Sequence, residues 1–156
     1  MQTDLMKQAL NQAHKAYKLK EVPVGAVIER NGVIIAKAHN LRHTKKVSTY
    51  HAEILAIQKA CKKLKCWQLE DCNLYVTLEP CLMCAGAIIN ARIKNVYYGA
   101  KDNVNGAYTV YNCKNAENSY KINTFFEENT QCSEILSKFF KELRSKKDAK
   151  NRCNNC

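Results

Sequence analysis

Glycine and proline are scarce in this sequence, at five and two of 156 residues. That scarcity excludes collagen-like and proline-rich low-complexity chains, and it makes each Gly or Pro a marker of a definite break. No uninterrupted apolar run is as long as a membrane span, and residues 1–5, Met-Gln-Thr-Asp-Leu, lack the basic segment and apolar stretch of a secretory leader. A cytoplasmic protein with no membrane partner is therefore expected. Acidic residues are few as well, fourteen against twenty-five Lys and Arg, which leaves a formal charge of +11. The excess favours approach to a polyanion such as nucleic acid, although twenty of the cations are lysines and compositional drift gives the same balance. Cysteine alone is over-supplied, at nine residues. An odd number in a reducing compartment argues against a disulfide framework and leaves metal binding as a use for some of them.

With 46% hydrophobic and 25% charged residues, the chain has the composition and length of one compact domain that needs no staples. Over residues 4–19, Met6, Ala9, Leu10, Ala13, Ala16 and Tyr17 recur at helical spacing behind a Thr3 or Asp4 cap. Val22-Pro23 breaks this helix. Two β-rich runs, 24–30 and 33–38, are separated only by Asn31-Gly32, the dipeptide of a type I′ hairpin turn. A polar loop over 41–49 follows, from which Ser48 or Thr49 can cap a helix running from about His51 to Leu64. Leu74-Tyr75-Val76-Thr77-Leu78 reads as a strand, and Pro80 suits the first turn of a helix that continues to about Arg92. Further strands are predicted at 95–100 and 120–125, with a long loop between them. A last helix is marked by Cys132, Ile135, Leu136, Phe139, Phe140 and Leu143. The order implies a three-layer α/β/α domain around a mixed sheet, with a single domain over residues 1–144 and a basic, flexible tail over 145–156.

The chemistry concentrates where two of these helices begin. Cys81-Leu82-Met83-Cys84 has the spacing of a thiolate pair that closes on one metal ion from a helix start. Alone, the pair also fits a redox dithiol or two core cysteines. His51, in the corresponding turn of the preceding helix, adds a third ligand and leaves a fourth position for water, the arrangement of a catalytic rather than a structural zinc. Glu53, two residues further on, is placed to handle that water's proton. Singly, His51 reads equally as a capping or core residue and Glu53 as an acid at a helix start. Together, H-x-E followed by P-C-x-x-C matches the signature of the zinc nucleobase deaminases. Cys153 and Cys156 repeat the C-x-x-C spacing with no neighbouring ligands and read as an incidental pair.

Val22-Pro23-Val24-Gly25-Ala26-Val27, His51-Ala52-Glu53, Thr77-Leu78-Glu79-Pro80-Cys81-Leu82-Met83-Cys84-Ala85-Gly86-Ala87 and Tyr98-Gly99-Ala100-Lys101-Asp102 occur in that order. With Phe139-Phe140-Lys141-Glu142-Leu143-Arg144, they make the chain resemble the bacterial tRNA-specific adenosine deaminases, the TadA family, over nearly its whole length. The resemblance implies a cytidine-deaminase-like fold, one Zn2+ per chain on His51, Cys81 and Cys84, and Glu53 as proton shuttle. It also implies a homodimer that converts the wobble adenosine of a tRNA anticodon stem-loop to inosine. Asn40 matches a base-contacting position, its alternative role being to cap the end of the second strand. Asp102 lies in a segment resembling the substrate-contacting loop, where it either accepts a hydrogen bond from a ribose 2′-hydroxyl or caps its own loop. Tyr50, Tyr108-Thr109 and a shortened segment up to Asn118-Ser119 depart from the family pattern and bear on which flanking nucleotides are accepted. A same-fold enzyme acting on free guanine, cytosine or a nucleotide is the alternative. A non-catalytic zinc module that binds RNA is a third, against which Glu53 argues.

Overall fold

A computed structural model of the chain describes residues 4–113 and 121–153. Thr3, Asn118, Ser119 and Cys156, named above, and the first position of the strand predicted at 120–125 lie outside the described residues. Asp4 caps α1 (Leu5–Lys18) by accepting the Lys7 amide at 2.9 Å, and Met6, Ala9, Leu10, Ala13 and Ala16 form its buried face. The helix lies directly on β1 (Gly25–Arg30). A Cβ on Gly25 would stand 2.0 Å from the Ala9 carbonyl oxygen, so only glycine permits that approach. Asn31 and Gly32, at φ 51° and 80°, turn the chain into β2 (Val33–His39), as a type I′ turn requires.

The polar segment after β2 holds a short helix, α2 (Arg42–Lys45), that the sequence pattern does not predict. Its support comes from outside the segment. The Glu21 carboxylate accepts the Thr44 amide at 2.5 Å, and Asn40 Oδ1 accepts the Arg42 amide at 3.1 Å. Next come α3 (Ala52–Leu64), β3 (Cys72–Val76), α4 (Leu82–Asn90), β4 (Asn95–Tyr98), β5 (Asn123–Phe126) and α5 (Thr130–Cys153). Several expected boundaries move: the strands predicted at 74–78, 95–100 and 120–125 lie at 72–76, 95–98 and 123–126, and three helix ends differ as well. His51 itself, rather than Ser48 or Thr49, is the N-cap residue of α3, and its side chain makes no capping bond. Pro80 stands outside α4, immediately before the N-cap Cys81. The last helix does not end near Arg144 but continues through residues 145–153, because Lys, Ala and Arg are good helix formers even where no apolar face marks the turns.

The sheet order is β2-β1-β3-β4-β5, antiparallel across its first two pairs and parallel across its last two. Alternation along the strands divides the core. Ala26, Ile28, Leu74, Val76 and Val96 point toward α3 and α4, whereas Val27, Tyr75 and Tyr97 point toward α1 and α5. Helices thus cover both faces, giving the three-layer mixed-sheet architecture expected of a cytidine-deaminase-like fold. Each fully buried Ile or Leu in these layers stabilises the fold by roughly 1.5–3 kcal/mol. All eight described cysteines are free thiols. No helix among the described residues is long and apolar enough to cross a membrane.

Candidate active site

The chain leaves β2 and β3 at the same end of the sheet, and α3 and α4 start there side by side. His51 and Cys81 are the N-cap residues of these helices, both with extended backbone (φ −74° and −76°). At an N-cap the carbonyl begins the helix while the side chain commonly turns back onto the free amides. Here neither side chain does so; their carbonyls accept from Leu55 at 3.1 Å and Ala85 at 2.8 Å, and the imidazole and thiol are left to face each other. Cys84, buried in the first turn of α4, completes the group. His51 Nδ1 lies 3.6 Å from the sulfur of Cys81 and 3.6 Å from that of Cys84, and the three donor atoms fall within 4.8 Å of one another.

This donor set fits zinc by type and by spacing. Ligand bonds of about 2.05 Å to nitrogen and about 2.3 Å to sulfur, at a tetrahedral angle, separate N and S by about 3.6 Å. Hydrogen bonds from Cys84 and His51 lower the Cys81 thiol to about 4, the direction that favours a cation beside it. The neighbouring Cys81 sulfur and burial push Cys84 the other way. Glu53, in the first turn of α3, is only 4% exposed, and burial raises its carboxyl to about 7.

A cleft of about 450 Å³ opens over these residues. Asn40, His51, Glu53, Cys81 and Asp102 line it together with apolar Val22, Val24, Leu78 and Leu82; Cys84 lies beneath. The sequence-predicted residues are thus brought to one place, with two of them already engaged in local bonds. Asn40 donates through Nδ2 to the Val22 carbonyl at 3.2 Å and accepts the Arg42 amide, so it joins the end of β2 to α2 while keeping one N–H and one lone pair. Asp102 Oδ1 accepts the amides of Val104 at 3.0 Å and Asn105 at 2.9 Å, which is the loop-capping alternative.

The sequence assigns no role to the buried acids Glu21, Glu29 and Glu79, and Tyr108, expected to bear on flanking nucleotides, is instead buried. Glu79 receives four hydrogen bonds from residues 102–109. Glu21 supports α2 through Oε1, while its other oxygen is buried without a protein partner among the described residues. The Tyr108 hydroxyl is likewise buried and unpartnered among them, its ring tilted against Tyr98 at 5.9 Å. The available signal was an acid set within an apolar run, as in Leu78-Glu79-Pro80, which is costly unless its oxygens are satisfied.

Similarity to known proteins agrees with this geometry. The model of the MafB19-like deaminase family matches residues 1–144. A tRNA-specific adenosine deaminase of Bacillus subtilis (strain 168) is 48% identical over 149 residues, covering 92% of this chain and 91% of that protein. A solved structure from work on A-to-I editing by tRNA:A34 deaminases at the wobble position of transfer RNA superposes with a TM-score of 0.79. It is 37% identical, over 86% of this chain and 99% of that one. Guanine deaminase from Bacillus subtilis superposes with a TM-score of 0.62 at 35% identity, over 90% and 92% of the two chains.

Proposed function

This chain belongs to the tRNA-specific adenosine deaminases within the MafB19-like deaminase family, and we propose that it hydrolyses the wobble adenosine of a tRNA anticodon loop to inosine, using zinc. The observation that carries this proposal is the convergence of His51, Cys81 and Cys84 beside the buried Glu53 in one cleft. The three ligands would hold the ion. When bound, zinc supplies the Lewis acidity that brings a water's pKa toward neutrality. Glu53 takes a proton from the attacking water and delivers it to N1 of the ring as oxygen adds to C6. It then takes the remaining proton from the hydroxyl added at C6 and delivers it to the amine, so that the C–N bond breaks, ammonia leaves and a carbonyl remains. Glu53 is suited to both tasks because it is buried and poised near neutrality.

A cleft of about 450 Å³ suits one nucleotide swung out of its stack rather than a duplex. Its apolar walls grip the base faces, and the remaining N–H and lone pair of Asn40 are available to the purine edge. Asp102 is assigned to the ribose 2′-hydroxyl through its second oxygen while the first holds the loop. The enzyme is proposed to act as a homodimer, as its resemblance to the family implies. The proposal includes a single deaminase domain over residues 1–144 and a cytoplasmic location, where the ligand thiols stay reduced.

The guanine deaminase similarity supports a second reading, hydrolysis of a free base. One experiment separates them: incubate the protein with an anticodon stem-loop and, in parallel, with guanine, cytidine and adenosine, and measure inosine and ammonia. Inosine should form from the hairpin, with free adenosine a poor substrate. Efficient turnover of guanine or cytidine with none of the hairpin would establish the second reading instead.

A further inference from the structure

Glu79 lies between β3 and α4, two residues before a proposed zinc ligand, and is only 2% exposed. Burying a carboxylate costs heavily unless every oxygen is satisfied. Here both are. Oε1 accepts the backbone amides of Tyr108 at 3.0 Å and Thr109 at 2.6 Å; Oε2 accepts the Asp102 amide at 3.0 Å and the Thr109 hydroxyl at 2.8 Å. Four donors converge on one side chain, and only a carboxylate offers acceptors alone on both of its atoms. Gly106 closes over it; a Cβ there would stand 2.6 Å from the Glu79 carboxylate.

The segment so held has few other anchors. Ala107 and Tyr108 are buried in the core, but Val104 is 73% exposed and Val110 and Tyr111 face outward, so apolar burial fixes the middle of residues 102–111 and not its ends. The same segment supplies Asp102, Asn105 and Tyr111 to the cleft. Its bonds run in series. Glu79 holds the Asp102 amide, Asp102 holds the amides of Val104 and Asn105, and Ala107 donates to the Pro80 carbonyl at 2.9 Å beside the Cys81–Gly106 bridge. We propose that Glu79 is a positioning residue for the substrate, which by gathering these four donors sets the wall of the cleft against which the RNA is seated. This inference rests on the deaminase function proposed above. Glu79 itself lines the cleft but lies outside the His51, Cys81 and Cys84 group, and both of its oxygens are taken up by the loop.

The test compares Glu79→Gln and Thr109→Val with the parent enzyme, by steady-state kinetics on a hairpin RNA, zinc content and amide hydrogen exchange. In Glu79→Gln an amide group must oppose two of the four donors, so the KM for RNA should rise about 10-fold or more with kcat within about 3-fold, since bonds to charged groups are the stronger ones. Zinc should remain at about one per chain, and exchange at Asp102, Tyr108 and Thr109 should accelerate together. Thr109→Val removes one hydroxyl bond and no backbone bond, so it should fold and raise KM about 3-fold with kcat unchanged. Unchanged KM and unchanged exchange in both variants would overturn the inference. So would loss of zinc with kcat and KM altered together, since Glu79 would then be supporting the metal turn. Should the parent enzyme leave the hairpin untouched, the proposed function fails, while the exchange data still report whether Glu79 holds the loop.

Discussion

At the starts of α3 and α4, each functional side chain comes from a few consecutive residues, His51 to Glu53 and Cys81 to Cys84, on helices rooted in the core. The facing wall, residues 102–111, is anchored by buried Ala107 and Tyr108 and by the Ala107 bond to Pro80, and its polar bonds gather on one carboxylate that lies 23 to 30 positions earlier in the chain. The first region is fixed by helix geometry and apolar packing, the second by two buried residues, Ala107 and Tyr108, and by long-range polar bonds. Chemistry that tolerates no displacement is carried by the rigid region, and contacts that adapt to a substrate are carried by the other. Changes in the first should therefore alter metal content and turnover, and changes in the second should alter KM and selectivity.

The largest effect is expected from Cys81→Ser, which removes a ligand. Loss of a merely supporting contact typically costs a metal site ~10–100-fold, so losing a ligand should cost more than ~100-fold in activity. Most of the zinc should go with it. Elemental analysis showing full occupancy in this variant would remove Cys81 from the ligand set and blur the contrast between the two regions.

A core change beneath the rigid region comes next. Leu74 is fully buried against α3 and α4, and Leu74→Ala should destabilise the protein by about 2–5 kcal/mol in denaturant unfolding. The RNA-to-DNA selectivity of the surviving enzyme should not move. A shift in selectivity would mean that the wall is coupled to the core after all.

Asp102→Asn acts on the wall alone. Asn can still accept the Val104 and Asn105 amides, so the loop should persist while the charge facing the substrate is lost. Activity on a 2′-deoxy hairpin should rise relative to the matched RNA, by about 3-fold or more if the repulsion lost is near 0.7 kcal/mol. Equal changes in kcat/KM on both strands would show that Asp102 only caps its loop.

Ser48→Ala gives the smallest effect. An N-cap serine replaced by alanine costs about 1 kcal/mol, but the N-cap of α3 is His51. Unfolding should shift by less than about 0.5 kcal/mol. A full cap's loss would restore Ser48 to the helix start.

Which features were legible in the sequence follows the same division. The hairpin was readable because Asn31-Gly32 demands positive φ, and the layers because apolar alternation and helical spacing are local periodicities. The proposed ligand trio was readable because H-x-E and P-C-x-x-C are short motifs, each at a predicted helix start, although His51 stands 30 positions before Cys81. The supporting acids were not, since nothing near Glu21 announces that its carboxylate will meet the Thr44 amide, or near Glu79 that it will meet Thr109. Helix α2 was missed for that reason. The continuation of α5 through residues 145–153 was missed for another, that a solvent-facing helix without an apolar stripe has no periodicity to detect.

The account turns on Glu53, the one group asked to move protons without holding the metal. Zinc content, RNA affinity and inosine formation should be measured on the same preparations of the parent protein and Glu53→Ala. Full zinc, unimpaired RNA binding and deamination lowered by at least ~100-fold are the results expected of a lost proton shuttle. Near-normal inosine formation by a folded, zinc-loaded Glu53→Ala protein would contradict the mechanism.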